Sequence, residues 1–337
     1  MLELWIGESS KRPIIKNHGK VLDSVINYLH LDEPRTPYSY NELFLDSGAF
    51  TISRRGLSVS KEHIKSVQEK LHPDKAVPLD YPFQPGQSVK EMERLWEMTK
   101  ANILEWQETT KLKEIVPVLH AWSRSSIKKN ILWIHKYVNT EYVGIGTIVN
   151  PGFKGYFADR QLNFKTLELL LYTIKVIKGM TNFKIHLMGF GSSPLTLHIA
   201  YYMGADSLDT TGYRRKAAFG KIILPGTGER YVGRGDAKFG VRGENLSYSD
   251  WRTLLECKCP ICRKDRSLLW RDWVARAIHN KFVLEMETMK AKYLLNNGVN
   301  AYEKYLNEIF LNSSTCFQAY WKFLKKAVKQ KILDVYF

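Results

Sequence analysis

The 337-residue chain is poor in cysteine, short of acidic residues and free of long apolar runs. Its four cysteines are too few for a disulfide scaffold, so a reducing, cytoplasmic setting fits best. No apolar stretch is long enough to cross a bilayer, which argues against a membrane role. The first residues, Met1-Leu-Glu-Leu-Trp-Ile-Gly7, lack the basic start and extended apolar segment of a signal peptide. Thirty-four Asp and Glu stand against 50 Lys and Arg, for a net charge of +16. Such a balance points to a polyanionic partner, nucleic acid foremost. The hydrophobic share of 44% supports a large core, as one big α/β domain or two smaller ones.

Three of the four cysteines are clustered in Cys257-Lys-Cys259-Pro-Ile-Cys262, and His279-Asn280 follows downstream. Thiolates and imidazole are the ligands structural zinc prefers, and Cys257, Cys259, Cys262 and His279 would complete a tetrahedron with no position left for water. His135 and His198 are competing ligands but lie far from the triplet in sequence. Cys316 stands alone on an apolar stretch and reads as a buried thiol.

Short apolar segments alternate with longer amphipathic ones. Strands are expected at Leu2–Ile6, Leu43–Asp46, Ala76–Asp80, Ile115–His120, Tyr142–Gly146, Lys184–Met188, Ala205–Asp209 and Arg230–Gly233. Helices are expected at Val89–Thr109, Ile127–Tyr137, Leu162–Ile177, Leu195–Met203 and Trp273–Met286. Alternation of this kind builds a parallel sheet, and about eight strands would close a (β/α)8 TIM barrel; a doubly wound open sheet is the alternative. The expected organisation is an α/β barrel core over 1–245, a zinc-binding subdomain over 246–285 and a helical C-terminal region over 286–337. The Gly-rich stretch from Pro225 to Asn245 reads as a loop or hairpin leading into the cysteines.

Polar residues gather at the strand ends: Asp46, Asp80, His120, Gly144-Ile-Gly146, Met188-Gly189 and Asp209. Each Asp alone has an ordinary use as a turn or helix cap. Three at successive strand ends fit a shared pocket better. One carboxylate could attack or stabilise an oxocarbenium-like carbon, another could handle the leaving group's proton, and a third could accept paired hydrogen bonds from a purine edge. Asp206, three residues before Asp209, should point to the opposite face and hold the loop. Gly144-x-Gly146 and Gly189-x-Gly191 do not continue into a dinucleotide fingerprint, because Val149 and Pro194 occupy the third glycine position. Arg214, Arg215 and Lys216 follow Asp209 and suit phosphate contacts, with Tyr213 placed to stack on a base.

Together these residues resemble the tRNA-guanine transglycosylase superfamily. The matching segments are Asp46-Ser-Gly-Ala-Phe50, Leu187-Met-Gly-Phe-Gly191, Gly204-Ala-Asp-Ser-Leu-Asp209 and the Cys257, Cys259, Cys262, His279-Asn280 set. The resemblance implies a (β/α)8 barrel with a structural Zn2+ subdomain and exchange of guanine for a 7-deazaguanine base through a covalent intermediate. It implies Asp209 as nucleophile and Asp46 as general acid/base. Asp80 would bind the purine edge, and Gly144, Gly146, Met188 and Gly189 would line the base pocket. No ATP or redox cofactor is implied. A homodimer braced by the zinc subdomain is left open.

Departures from the family pattern are Ala49, Thr51, His120 in place of a base-contacting glutamine, a tract after Asp209 without Pro-Thr-Arg, and a short span from Cys262 to His279. They resemble the phage and bacterial branch that modifies DNA. DNA is therefore the expected polymer, read through a flipped-out guanine. Alternatives are a tRNA transglycosylase and a zinc-bearing nucleic-acid-binding protein without catalysis.

Overall fold

The computed structural model describes residues 2–9, 13–28, 38–84, 86–148, 163–232 and 245–329. Eight strands form one sheet: β1 (Glu3–Gly7), β2 (Asn17–Ser24), β3 (Ser39–Asp46), β4 (Lys75–Ala76), β5 (Val118–Ala121), β6 (Tyr142–Ile148), β7 (Lys184–Leu187) and β8 (Ser207–Thr210). Their order is β4-β3-β2-β1-β8-β7-β6-β5. Parallel ladders join β2 to β3, β3 to β4, β5 to β6 and β6 to β7. The edges meet through a parallel bridge from Ala76 to Ile115, just ahead of β5. The Ala76 N–H donates to the Glu114 carbonyl at 2.9 Å, and the Val116 N–H to the Ala76 carbonyl at 2.8 Å. The curled eight-stranded sheet in this order is α/β barrel-like.

Two strand assignments differ from the sequence expectation. β2 was not anticipated, because buried positions on it are filled by His18 and Asp23 as well as Val21, which hides the apolar alternation. The segment expected as the strand Arg230–Gly233 is instead part of a two-stranded antiparallel hairpin, β9 (Lys221–Ile223) with β10 (Glu229–Tyr231). Gly233, and the Gly-rich stretch as far as residue 244, lie outside the described residues. Ladder pairing in β4 ends at Ala76, where Pro78 lacks the N–H to continue it.

The helices begin where the sequence supplies caps. Ser88 accepts from the Glu91 N–H at 3.2 Å and opens the helix Val89–Thr109. Ser123 and Asn163 form capping boxes at Arg124–Tyr137 and Phe164–Met180. Along Val89–Thr109 the buried face is Met92, Leu95, Trp96, Thr99, Asn102, Ile103 and Trp106, a spacing of three and four.

The chain divides into two compact units. One is built mainly of Gly7–Met188 with Met203–Ser207. Part of its core packs Val25, Tyr28, Leu45, Ile64, Val67 and Trp106. Gln68 is buried there with both ends of its amide used: it accepts from Trp106 Nε1 at 2.7 Å and donates to the Val77 carbonyl at 2.8 Å.

The other unit comprises Met1–Ile6, Gly189–Tyr202 and Leu208–Gln330. It holds the hairpin, the cysteine cluster and the helices Trp273–Asn296, Val299–Leu311 and Thr315–Lys329. Its C-terminal helices are tied to the helix Pro194–Met203 by a buried polar network. His198 Nε2 lies 2.8 Å from Glu287 Oε2, and His198 Nδ1 2.7 Å from the Tyr302 hydroxyl. The Tyr305 hydroxyl and the Gly226 N–H also donate to Glu287, at 2.7 and 2.8 Å. Among the described residues no helix is long and apolar enough to cross a membrane.

Candidate active site and metal centre

β3 ends in Asp46, and the next two residues turn sharply into the helix Ala49–Arg55. The Gly48 N–H donates to Asp46 Oδ2 at 2.9 Å, which orients the half-buried carboxylate. Gly48 sits at φ +79°, and a Cβ there would fall 2.3 Å from Ile26 Cγ1. Only glycine fits that turn without displacing its neighbours. Ser47 is fully buried, and its hydroxyl reaches Asp80 Oδ1 at 3.2 Å.

Asp80 is 7% exposed, and its second oxygen lies 2.8 Å from His120 Nε2. The His120 ring is enclosed, with Phe83 at 5.3 Å and Trp96 at 6.4 Å between centroids. Its backbone carbonyl accepts from Asn130 Nδ2 at 2.8 Å. On β6, a Cβ at Gly146 would meet Val118 Cγ1 at 2.8 Å and His120 Cε1 at 3.8 Å. A Cβ at Gly144 would meet Val118 Cγ2 at 3.4 Å and Met188 Sδ at 3.7 Å. Asp80, His120, Gly144, Gly146 and Met188 therefore share one neighbourhood, and Ser47 links Asp46 to it along the chain. A carboxylate with two oxygens accepts about four hydrogen bonds. Asp80 thus keeps acceptor capacity for a flat ligand with adjacent N–H groups.

In the other unit, β8 carries Asp209, 7% exposed. Its Oδ1 accepts from the Gly189 N–H at 2.5 Å, and its carbonyl from the Gly191 N–H at 3.0 Å. The Met188-Gly-Phe-Gly191 stretch thereby fixes the carboxylate through the main chain. Asp206 plays the holding role expected of it: Oδ2 meets Lys178 Nζ at 2.5 Å and the Ile185 N–H at 2.8 Å.

After Asp209 comes the helix Gly212–Ala218. Arg215 is exposed and Arg214 half-buried. Lys216 is ion-paired with Glu229, which also meets Lys221 at 2.8 Å. The expectation for Tyr213 is corrected: its side chain is 0% exposed, so it packs in the interior and offers no ring face to a base.

The cysteine triplet and His279 converge. Their ligand atoms all lie within 4.8 Å of one another, and all four residues are buried. His279 Nδ1 is 3.7, 3.4 and 3.5 Å from the sulfurs of Cys257, Cys259 and Cys262. A tetrahedral zinc with ordinary Zn–S and Zn–N bonds sets that edge at about 3.6 Å. His279 Nε2 donates to the Ile223 carbonyl at 2.9 Å, leaving Nδ1 its lone pair for a metal. Asn280 completes the grip by accepting from the Ile223 N–H at 2.6 Å and donating to the Tyr213 carbonyl at 3.0 Å.

The three sulfurs lie close enough to act strongly on one another. Hydrogen bonds from Cys259 and Cys262 hold Cys257 well below the usual thiol range. Contacts with Cys257 and Cys259 push Cys262 far above it. Burial opposes charge on His279, yet the neighbouring sulfurs raise it to about 9. The donor set, spacing and burial fit a four-coordinate zinc. His198 is engaged with Glu287, and His135 packs edge-on against Phe183 at 5.6 Å. Cys316 is exposed rather than buried, being on the outward side of an amphipathic helix.

Sequence reasoning missed Ser47, Asn280 and Glu287 as organising residues. Ser47 and Asn280 were visible as neighbours of the chemical residues, but their partners lie 33 and 57 positions away. No local pattern marks Glu287.

The sequence pattern of the queuine tRNA-ribosyltransferase family matches residues 39–308. The chain is 27% identical over 310 residues to a tRNA-guanine(15) transglycosylase of Sulfolobus acidocaldarius, covering 85% of this chain and 54% of that protein. It is 26% identical over 226 residues to one of Methanosarcina barkeri, covering 66% and 40%. A third match, uncharacterized protein 306 of Sulfolobus islandicus rod-shaped virus 1, is 27% identical over 202 residues, covering 57% and 56%. The chain spans about half the length of the curated relatives it matches.

Proposed function

The chain belongs to the queuine tRNA-ribosyltransferase family, and from that premise we propose that it exchanges guanine in a nucleic acid for a 7-deazaguanine base. The observation that carries this reading is the buried Asp80 carboxylate, backed by Ser47 and His120 beside a wall of glycines. It suits the N1–H and N2–H edge of guanine.

Asp209 is the nucleophile. Its carboxylate attacks C1′ of the target nucleotide, a C1′–O bond forms, and the C1′–N9 electrons leave with guanine. Asp46 gives the departing base a proton. The carboxylate of Asp46 then takes the N9 proton of the incoming 7-deazaguanine, whose nitrogen displaces Asp209 from C1′. Gly144, Gly146, Met188 and Gly189 line the base site, and His120 stands at its edge. Arg214 and Arg215 contribute phosphate contacts, with Lys216 already balanced by Glu229. Cys257, Cys259, Cys262 and His279 would hold a zinc, which would supply a structural cross-link.

For the polymer, tRNA is the reading the relatives favour: those named for a substrate are named tRNA-guanine(15) transglycosylase. The expectation of DNA rests on Ala49, Thr51, His120, the altered tract after Asp209 and the short span from Cys262 to His279, and nothing in the comparisons adds to it. Mass spectrometry of nucleosides from both tRNA and DNA, after incubation with labelled guanine and 7-deazaguanines, tests the proposal. Incorporation into tRNA is expected. Label found only in DNA would replace the polymer, and label in neither would remove the activity.

A further inference from the structure

The helix that follows Asp209, Gly212–Ala218, is seven residues long and has no side-chain hydrogen bond at its N-cap, Thr211. A helix so short is marginal by itself and depends on outside contacts. Its first residue is wedged in place. The Gly212 N–H donates to Thr210 Oγ1 at 2.9 Å, and a Cβ on Gly212 would fall 2.9 Å from Ser192 Cα. The rest is gripped by one face of the helix Trp273–Asn296. Arg276 and Asn280 lie about one turn apart on that face, with His279 beside them, and all three are buried. Arg276 Nε donates to the Ala217 carbonyl at 2.8 Å, and Nη1 to the Leu269 carbonyl at 3.0 Å. Asn280 Nδ2 donates to the Tyr213 carbonyl at 3.0 Å and to the Lys221 carbonyl at 3.2 Å. The short helix is thus bonded through its main chain near both ends. Arg214 and Arg215 lie between those bonds, one half-buried and the other exposed.

Arg276 is 7% exposed. Taking a guanidinium out of water is costly, and packing alone would be served as well by an apolar side chain of similar length. The planar fork does what an apolar chain cannot: it ties two separate segments, at Ala217 and Leu269, to one point. Its charge also faces the carbonyl end of the short helix, where negative charge gathers. Resting on the base-exchange reading above, we propose that Arg276 is a positioning residue: it fixes the helix after Asp209 so that Arg214 and Arg215 meet the phosphates of the polymer in register. Arg276, being buried, has no phosphate contact of its own. Its effect on the polymer passes through the main chain of the helix it holds.

Equilibrium binding of total tRNA and of a DNA duplex to the full chain, from about 50 to about 200 mM salt, tests this. Arg276→Met should weaken binding about tenfold at low salt and reduce the slope of log affinity against log salt by roughly one to two. Arg276→Lys, which keeps the charge without the fork, should fall between this variant and the wild type. In an Arg214→Ala/Arg215→Ala chain, adding Arg276→Met should cost less than about a further twofold. A residue serving stability alone would lower the fraction of chains able to bind and leave the affinity and salt slope of the remainder unchanged. That result overturns the proposal, as do losses that multiply in the combined variant. Arg276→Lys at wild-type affinity and slope also overturns it, so the test stands even if Arg276→Met does not fold. Absence of binding of both polymers to the wild-type chain removes the polymer reading itself, a result distinct from binding that ignores Arg276.

Discussion

The Gly189 N–H donates to Asp209 Oδ1 at 2.5 Å, so the backbone takes a direct part in orienting the carboxylate. Asp209→Asn keeps an oxygen for that bond while removing the carboxylate proposed as nucleophile. Exchange of labelled guanine should fall about 10³-fold or more, with a melting temperature within about 2 °C of wild type. Exchange that survives in the folded variant rules Asp209 out.

The candidate metal site is joined to the hairpin as well as the cysteine loop, because His279 and Asn280 both bond Ile223. One zinc per chain is expected by elemental analysis. Chelation, or Cys262→Ser, should release it and lower the melting temperature by roughly 5–10 °C, as for the loss of a few kcal/mol in a chain this size. Full stability in a zinc-free sample would show that the centre is dispensable for the fold.

Gly48→Ala forces a side chain into a left-handed backbone and against Ile26. The two effects together should cost about 2–4 kcal/mol in urea unfolding. Because the turn also carries Asp46 and Ser47, exchange should drop more than the fraction unfolded accounts for. A neutral substitution would mean that Ile26 yields and the turn does not set the carboxylate.

Burial alone would raise the pKa of Glu287, but the hydrogen bond and charge of His198, with Tyr305, bring it below the ordinary 4.5. The folded value is therefore lower than the unfolded one. The unfolded chain takes up the proton more readily, so this stabilisation is complete above about pH 4.5 and is lost as pH falls through the folded value. Urea unfolding at stepped pH should show that loss in the wild type and not in Glu287→Gln. Glu287→Ala, which leaves the His198 and Tyr305 partners unpaired, should cost about 3–5 kcal/mol at neutral pH. Parallel acid curves for the wild type and Glu287→Gln would place the acid sensitivity elsewhere.

The sequence carried the fold where local signals agree. Ser88 before a three-and-four apolar spacing marks Val89–Thr109 to the residue, and the cysteine triplet marks the metal site. It failed where tertiary partners overrule local pattern. β2 carries buried His18 and Asp23, so its period is invisible. The Tyr-Val pair at 231–232 looks like a barrel strand, yet Tyr231 pairs with Lys221 in the hairpin. Asp80 and His120 were each legible as polar residues at strand ends. That they bond each other across 40 positions was not, because no spacing rule links the ends of two different strands.

β1 lies beside β8 in the sheet, and the Tyr201 hydroxyl donates to the Glu3 carbonyl at 2.9 Å. Residues 3–7 and 207–210 are thus neighbours separated by about two hundred positions. During synthesis the early strand waits with an open edge until the strand bearing Asp209 has left the ribosome. Pairing over so long a separation is slow to form and exposed to wrong partners. The step that completes the sheet is therefore also the step that brings in Asp209, the proposed nucleophile, and chains stalled before residue 207 should be both inactive and prone to aggregate.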